Sequence, residues 1–151
     1  MTHWAGSAER RLAPLVGRWR TQGRTIETPE APSAPIDAVD TYEWLPGRSA
    51  LLHTVDARVG DEQVEGAEII CWDSALGAYV TLHCGSDGLN RYEASLDEEN
   101  DVLVWCMRSA HDRFTGTFSD DRNTIDGQWE QLDDEDAWQP WMEVTLTKSA
   151  N

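Results

Sequence analysis

The chain has 151 residues, of which 40% are hydrophobic, and its 28 acidic and 12 basic residues give a formal net charge of -16. A chain of this length buries about two thirds of the surface that it exposes when unfolded, so we expect a single domain spanning residues 1–151. The negative charge repels phosphate backbones and anionic lipids, which argues against partners such as nucleic acid or a membrane surface.

The cysteine content and the N-terminus predict a cytoplasmic protein. Cys71, Cys84 and Cys106 are odd in number and stand inside apolar runs. They are therefore interpreted as small buried hydrophobic residues in a reducing compartment. No apolar stretch reaches the ~20 residues of a membrane helix, and the first residues lack the basic and apolar regions of a signal peptide.

The first predicted element is a short helix from Ser7 to Val16. Ser7 is a candidate N-cap, and Leu12, Leu15 and Val16 fall on one face of the segment. Pro14 limits the length of any helix here, because proline has no backbone N–H to donate.

Strands follow the helix. From residue 18 onward, aromatic and β-branched residues alternate with polar ones, and Gly, Pro, Asn and Asp interrupt the pattern at short intervals. A Pro-rich segment, ETPEAPSAPID, separates the first two strands. The predicted strands are 18–27, 38–45, 50–59, 63–72, 78–84, 90–96, 101–108, 113–119, 123–132 and 139–148.

These connections predict the topology. Short loops make successive strands antiparallel neighbours, and a meander of ten strands removes its two exposed edges by closing on itself. We therefore predict an all-β fold, an up-and-down antiparallel β-barrel of about ten strands with a short N-terminal helix. A two-sheet sandwich is the alternative, although it requires longer crossovers.

The start of the first strand supports this fold through a resemblance. A short helix followed by Gly17-Arg18-Trp19 resembles the calycin superfamily of lipocalins and fatty-acid-binding proteins. That resemblance implies that Trp19 plugs the closed end of the barrel, beneath a ligand cavity. Segments such as LAPLVGRWRTQGR, VEGAEIICWDSALGAY and WQPWMEVTLTK are similar to a bacterial calycin-like family of unknown function, of the DUF1579 type, over nearly the whole chain.

A second resemblance concerns haem. The segment Leu12 to Arg20 is similar to the N-terminal segment of nitrobindins, which are haem-binding barrels with a histidine ligand in the closing strands. The sequence departs from that pattern, since its last histidine, His111, falls in a predicted hairpin turn. We therefore expect no cofactor; haem is an alternative that would need His53, His83 or Met142 as its axial ligand.

Hairpin geometry brings three polar residues together. A two-residue loop at Gly60-Asp61 places His53 opposite Glu68, and a four-residue loop at 74–77 places Glu68 opposite His83. Neighbouring strands lie ~4.8 Å apart, so both imidazoles are within reach of the carboxylate. A longer loop in the next hairpin would add Arg91 beside His83.

This His53–Glu68–His83 row has several interpretations. It faces a cavity if the alternate apolar residues of the same strands mark the inner face, and a one-residue slip of register would turn it towards solvent. It is also consistent with a purely structural network. A metal site is not favoured, because the outer two side chains start roughly 10 Å apart across three strands.

Aromatic residues supply the remaining candidates. Trp44, Trp72, Tyr79 and Trp105 lie on strands among apolar residues, where they could line a pocket for a ligand or simply fill the barrel. The sequence therefore predicts a barrel whose partner is a small, largely apolar ligand, with its polar end held by His53, Glu68 and His83. Haem binding, an isomerase-like enzyme with a cavity histidine as base, and a filled barrel are the alternatives. Neither a catalytic residue nor a homodimer follows from the sequence; both questions are left open.

Overall fold

The computed structural model describes residues 6–85 and 88–150, so Trp4, Ser86 and Asp87 lie outside the described residues. Ten antiparallel strands form a closed barrel in which each strand pairs with its neighbours in the chain and the last strand pairs with the first. The predicted all-β, up-and-down barrel is confirmed. Its strands are β1 Gly17–Thr25, β2 Pro35–Trp44, β3 Ala50–Val59, β4 Glu62–Asp73, β5 Ala78–Gly85, β6 Gly88–Glu99, β7 Val102–Arg108, β8 Asp112–Phe118, β9 Thr124–Leu132 and β10 Trp138–Lys148.

The N-terminal segment is less regular than predicted. It contains one turn of α-helix, α1 (Ser7–Arg10), and a separate 3₁₀ turn at Ala13–Leu15. Pro14 explains the break, because it has no N–H to donate to the carbonyl of Arg10, four residues earlier, as a continuing α-helix would require. The predicted cap is wrong: Gly6 occupies the N-cap position, and no side chain caps the helix.

This segment covers one end of the barrel, which we call the closed end. Trp19 is fully buried there and donates from Nε1 to the carbonyl of Leu15 at 2.9 Å. The hydroxyl of Tyr79 donates to the carbonyl of Ala8 at 2.5 Å. Trp19 thus occupies the plug position that the calycin resemblance implies. Gly17 begins β1 with φ at 141°, a conformation that favours glycine and turns the chain from the 3₁₀ turn into the strand.

Alternate strand residues point inwards and form the core. Burial alternates along β6 and β8, for example, as expected for strands with one face inside a barrel. The inner face at the closed end is filled by large side chains: Trp19, Leu51, Ile70, Tyr79, Leu96, Trp105, Phe118 and Ile125. At Gly127 a Cβ atom would lie 2.6 Å from the ring of Phe114, so this glycine makes room for the ring.

The cysteines do not behave as predicted. All three lie on outward-facing positions; Cys84 is exposed, while Cys71 and Cys106 are half-buried, and all are free thiols. The prediction of buried cysteines was wrong because the apolar runs that contain them alternate between the two faces of a strand. Among residues 6–85 and 88–150, no helix has the length and apolar character needed to span a membrane.

Candidate functional site

A histidine inside the barrel is held between two carboxylates. His53 lies on β3, with Asp40 on β2 at one side and Glu68 on β4 at the other. The imidazole Nδ1 is 2.9 Å from Oε1 of Glu68, and Nε2 is 2.6 Å from Oδ1 of Asp40. Both ring nitrogens are therefore engaged. All three side chains are largely buried, with 14%, 10% and 4% of His53, Asp40 and Glu68 exposed.

The surroundings of His53 favour its charged form. Burial alone lowers the pKa of an imidazole, but the hydrogen bonds and negative charges of Asp40 and Glu68 outweigh burial and raise the pKa of His53 to about 9. At neutral pH His53 is an imidazolium that donates from both nitrogens. The carboxylates accept these charge-assisted hydrogen bonds, which are stronger than bonds between neutral groups.

Two further residues complete the cluster. The ring of Tyr42, on β2, stacks on that of His53, and burial followed by the charges of Asp40 and Glu68 raises the pKa of its phenol well above the usual value. The hydroxyl of Thr21, on β1, donates to Oδ2 of Asp40 at 2.5 Å. Both oxygens of Asp40 thus accept hydrogen bonds. We call these five residues, Thr21, Asp40, Tyr42, His53 and Glu68, the histidine cluster.

The predicted strand registers are present, although only part of the predicted row is bonded. Glu68 pairs with His53 on one side and with His83 on the other. His83 is half-buried, and its ring leans towards Gly66, where a Cβ atom would lie 3.1 Å from Nε2. Within the described chain His83 forms no hydrogen bond with Glu68. Asp40, which the sequence analysis did not single out, is the second partner of His53.

The residue predicted beside His83 is also different. Asn90 pairs with His83, whereas Arg91 pairs with Leu82 on the outer face. The prediction of Arg91 was wrong because the pairing extends to Gly85 and Gly88, so the connection is shorter than assumed.

The four predicted aromatic residues lie towards the closed end. Tyr79 and Trp105 are 1% and 2% exposed, with ring centroids 6.2 Å apart. Trp72 packs edge-on against Tyr79, with centroids 5.0 Å apart, and Trp44 is half-buried against the same core. These contacts belong to a packed core, and a role for the four rings in ligand contact stays a prediction.

Two side-chain oxygen atoms in or near the histidine cluster lack a hydrogen-bond partner among the described residues. Within the described residues, Oε2 of Glu68 has no hydrogen-bond partner, and neither does the fully buried Oγ1 of Thr81. Thr81 faces inwards on β5, diagonally across from Glu68, because it pairs with Ile70. Buried polar groups are nearly always hydrogen-bonded in native proteins, so this part of the interior is suited to a polar group from elsewhere.

Solvent reaches the inner face next to these groups. Val64 points inwards from β4, yet 41% of it is exposed. Its inward-facing neighbours Val55 and Gly66 are also partly exposed. The barrel is therefore accessible from the end opposite the helix, which we call the open end.

Asp40 and Tyr42 could have been found from alternation. In the segment DAVDTYEW, positions 38, 40, 42 and 44 share one face, and Ala38, Tyr42 and Trp44 mark that face as apolar. An aspartate among them signals a buried, partnered carboxylate. No group of three His, Cys, Asp or Glu side chains in the described part of the chain has the geometry to hold a metal ion.

Comparisons with known proteins identify the fold and a family. The model of the family described as a protein of unknown function, DUF1579, matches residues 5–148. No curated protein matches the chain. The crystal structure of Rv2717c from M. tuberculosis is similar, with a TM-score of 0.73, 12% identity, and coverage of 95% of this chain and 98% of that one. The S-type phycobiliprotein lyase CPES from Guillardia theta has a TM-score of 0.60 and 8% identity, with 97% and 95% covered. These likenesses concern the barrel fold.

Proposed function

Because the chain belongs to DUF1579, a family of proteins of unknown function, we propose a function from its own residues: it binds a small, largely apolar molecule inside the barrel, with the polar end of that molecule at Glu68. The observation that carries this proposal is the Glu68 carboxylate. It is 4% exposed on the inner face, and within the described chain only one of its oxygens is hydrogen-bonded. A largely buried carboxylate oxygen without a hydrogen-bond partner is suited to accept a hydrogen bond from a ligand.

The remaining cluster residues hold Glu68 in place. His53 donates both of its N–H groups to carboxylates, so it acts on a ligand through Glu68 rather than directly. His83, half-buried beside Gly66, is the second polar contact in this proposal. The partly exposed inner residues Val55 and Val64 provide apolar contact near the open end.

Two alternatives have less support from the geometry. A histidine base needs a neutral imidazole with a free nitrogen, whereas His53 is protonated at neutral pH and both of its nitrogens are bonded. A histidine ligand to haem iron needs a free nitrogen as well, which excludes His53 and leaves His83, or Met142 through its sulfur, for that role. Adding haemin tests this alternative: a shifted and sharpened Soret band that saturates at one haem per chain would favour it over the apolar ligand.

Nile red, a neutral apolar dye, tests the proposed function directly. We expect saturable binding by the unmodified protein, seen as an increase in dye fluorescence. Val55→Trp fills the inner face next to the cluster and should abolish that binding. Val39→Trp is the matched control, because Val39 lies on the outer face of β2. Absence of saturable binding, or equal binding by both folded variants, would contradict the proposal.

A further inference from the structure

The inner face of the barrel carries an excess of negative charge. The histidine cluster combines one imidazolium with two carboxylates. Among the inward-facing strand positions of the described chain, the only lysine or arginine is Lys148, which lies at the closed end over the ring of Trp19, 4.9 Å from its centroid. An anionic ligand would therefore meet no free cation near Glu68.

The same region offers contacts that suit a cation. Oε2 of Glu68 accepts no hydrogen bond from the described residues, and the orphaned hydroxyl of Thr81 lies on the adjacent strand. Towards the open half, Trp129 contacts the rings of Tyr92, Phe114 and Trp141, with centroids 6.1, 5.1 and 5.9 Å away. Aromatic faces attract organic cations as well as apolar groups.

We infer that the polar end of the ligand is a protonated nitrogen, such as an ammonium group, which donates to Glu68, and that ligands ending in a carboxylate are rejected. This inference rests on the proposed function, because it specifies which polar end the barrel accepts. An ammonium supplies a donor to the free oxygen and neutralises the excess charge of the cluster. A carboxylate would place a third negative charge beside two others, with no partner to compensate its loss of water.

Three ligands that share one ring system separate the possibilities. We would measure binding of 1-naphthylmethylamine, 1-methylnaphthalene and 1-naphthaleneacetate at neutral pH by displacement of Nile red. We expect the amine to bind at least about tenfold more tightly than the carboxylate, as a charge-assisted hydrogen bond predicts. The neutral compound should fall between them.

The role of Glu68 is tested by removing its charge. Glu68→Gln should bring the affinity for the amine close to that for 1-methylnaphthalene measured on the same variant. Glu65→Gln, on the exposed outer face of the same strand, changes the net charge equally and should keep the preference for the amine.

The outcomes distinguish this inference from the proposed function. If Nile red itself shows no saturable binding, the proposed function fails; if Nile red binds but the amine does not displace it, the binding function stands and the cationic ligand is wrong. If the carboxylate binds as tightly as the amine, the binding function stands and the cationic ligand is wrong. A preference for the amine that persists in folded Glu68→Gln would overturn the assignment to Glu68. The selectivity of the unmodified protein decides the ligand class even if that variant does not fold.

A separate observation on the outer face carries a second inference. Five residues from β2 to β6 lie directly opposite one another, in the order Glu43, Leu52, Ile69, Leu82 and Arg91. Ile69 and Leu82 are 39% and 40% exposed. This row, which we call the outer row, thus has an acid at one end, a base at the other and apolar residues between them.

We propose that a second copy of this chain docks on the outer row across a twofold axis through Ile69. A twofold axis that lies in the interface, parallel to the strands, reverses the row, so Glu43 meets the partner's Arg91 while the apolar centres pack together. Charge complementarity favours this face, because its two Glu43–Arg91 contacts offset part of the repulsion between two chains that each carry a net charge of -16. The five strands span about 19 Å, a narrow face that fits a weak, concentration-dependent dimer.

Sedimentation velocity over a series from micromolar to near-millimolar protein tests this dimer. Glu43→Arg and Arg91→Glu should each weaken it by at least about tenfold, and the double variant should restore it. Ile69→Lys should give a monomer, whereas Gln128→Lys on β9, across the barrel, should not. A chain that is monomeric throughout, or a dimer indifferent to Ile69→Lys and to the single charge reversals, would overturn the proposal.

Discussion

The rings of Tyr42 and His53 lie one upon the other, with centroids 4.0 Å apart and planes at 7°. Because His53 is an imidazolium at neutral pH, its charge is placed over the face of an aromatic ring, an arrangement worth about 1 kcal/mol. The stack therefore favours the protonated form of His53 together with Asp40 and Glu68.

Removing the aromatic face should lower the pKa of His53. We expect Tyr42→Leu to lower it by about half a unit to one unit, because the imidazolium loses the ring beneath it. Tyr42→Phe keeps the ring and should leave the pKa nearly unchanged. NMR titration of the imidazole signals in the two variants measures the effect. Equal pKa values in both would show that stacking contributes nothing.

The stability of the protein should depend on pH through His53. Its pKa rises from 6.5 in the unfolded chain to about 9 in the folded one, so the folded state binds more protons between these values. The contribution, about 3 kcal/mol, is fully present below pH 6.5 and is lost as the pH rises through 9. Denaturant unfolding at several pH values measures it. His53→Gln should flatten this dependence, while His111→Gln, at an exposed position, should retain it.

Thr21 should contribute to stability through Asp40. Thr21→Val keeps the shape of the side chain but removes the donor to Oδ2 of Asp40. We expect the free energy of unfolding to fall by about 1–3 kcal/mol, because a buried carboxylate oxygen loses its partner. Thr117→Val, at an exposed position on β8, is the control and should change it little. Similar losses in the two variants would argue against a special role for the Thr21 hydroxyl.

The hydroxyl of Tyr79 should keep the N-terminal segment on the barrel. Tyr79→Phe removes the hydrogen bond to the Ala8 carbonyl while the ring stays in the core. We expect a loss of about 1 kcal/mol in global stability and faster proteolysis within α1. Limited proteolysis followed by mass spectrometry locates the cuts. Unchanged cleavage within α1 would mean that other contacts are sufficient.

Much of the fold could be predicted because the local signals agreed with one another. Gly60 and Asp61 allow a short turn, and the 74–77 loop has the residues of another, so the registers around Glu68 followed from two turns. The ten strands could be predicted because alternation and turn residues coincide along most of the chain. The N-terminal segment had weaker signals. Its apolar pattern predicted one helix, whereas the structure has an α-helical turn and a separate 3₁₀ turn that contains Pro14.

The site was only partly predictable, because the pairing of residues on neighbouring strands does not determine the rotamers of their side chains. The predicted pairing of Glu68 with His83 is correct. Because Gly66 has no side chain, however, the ring of His83 leans towards Gly66 and away from Glu68. Asp40 was missed because the β2–β3 connection contains a 3₁₀ turn, Pro46–Arg48, which simple hairpin rules do not cover. The resulting pairing of β2 with β3 places Tyr42 opposite His53 and brings Asp40 within hydrogen-bonding distance of His53.

Closure of the barrel has a consequence for how the chain folds. Trp19, near the start of β1, pairs with Asp40 on one side and with Lys148, the last residue of β10, on the other. One edge of β1 therefore stays without a partner until β10 has been synthesised and has left the ribosome. Contacts between such distant residues slow folding, so the closing pair is expected to form late. During synthesis, that open edge is the place where the growing chain is most exposed to pairing with the wrong strand.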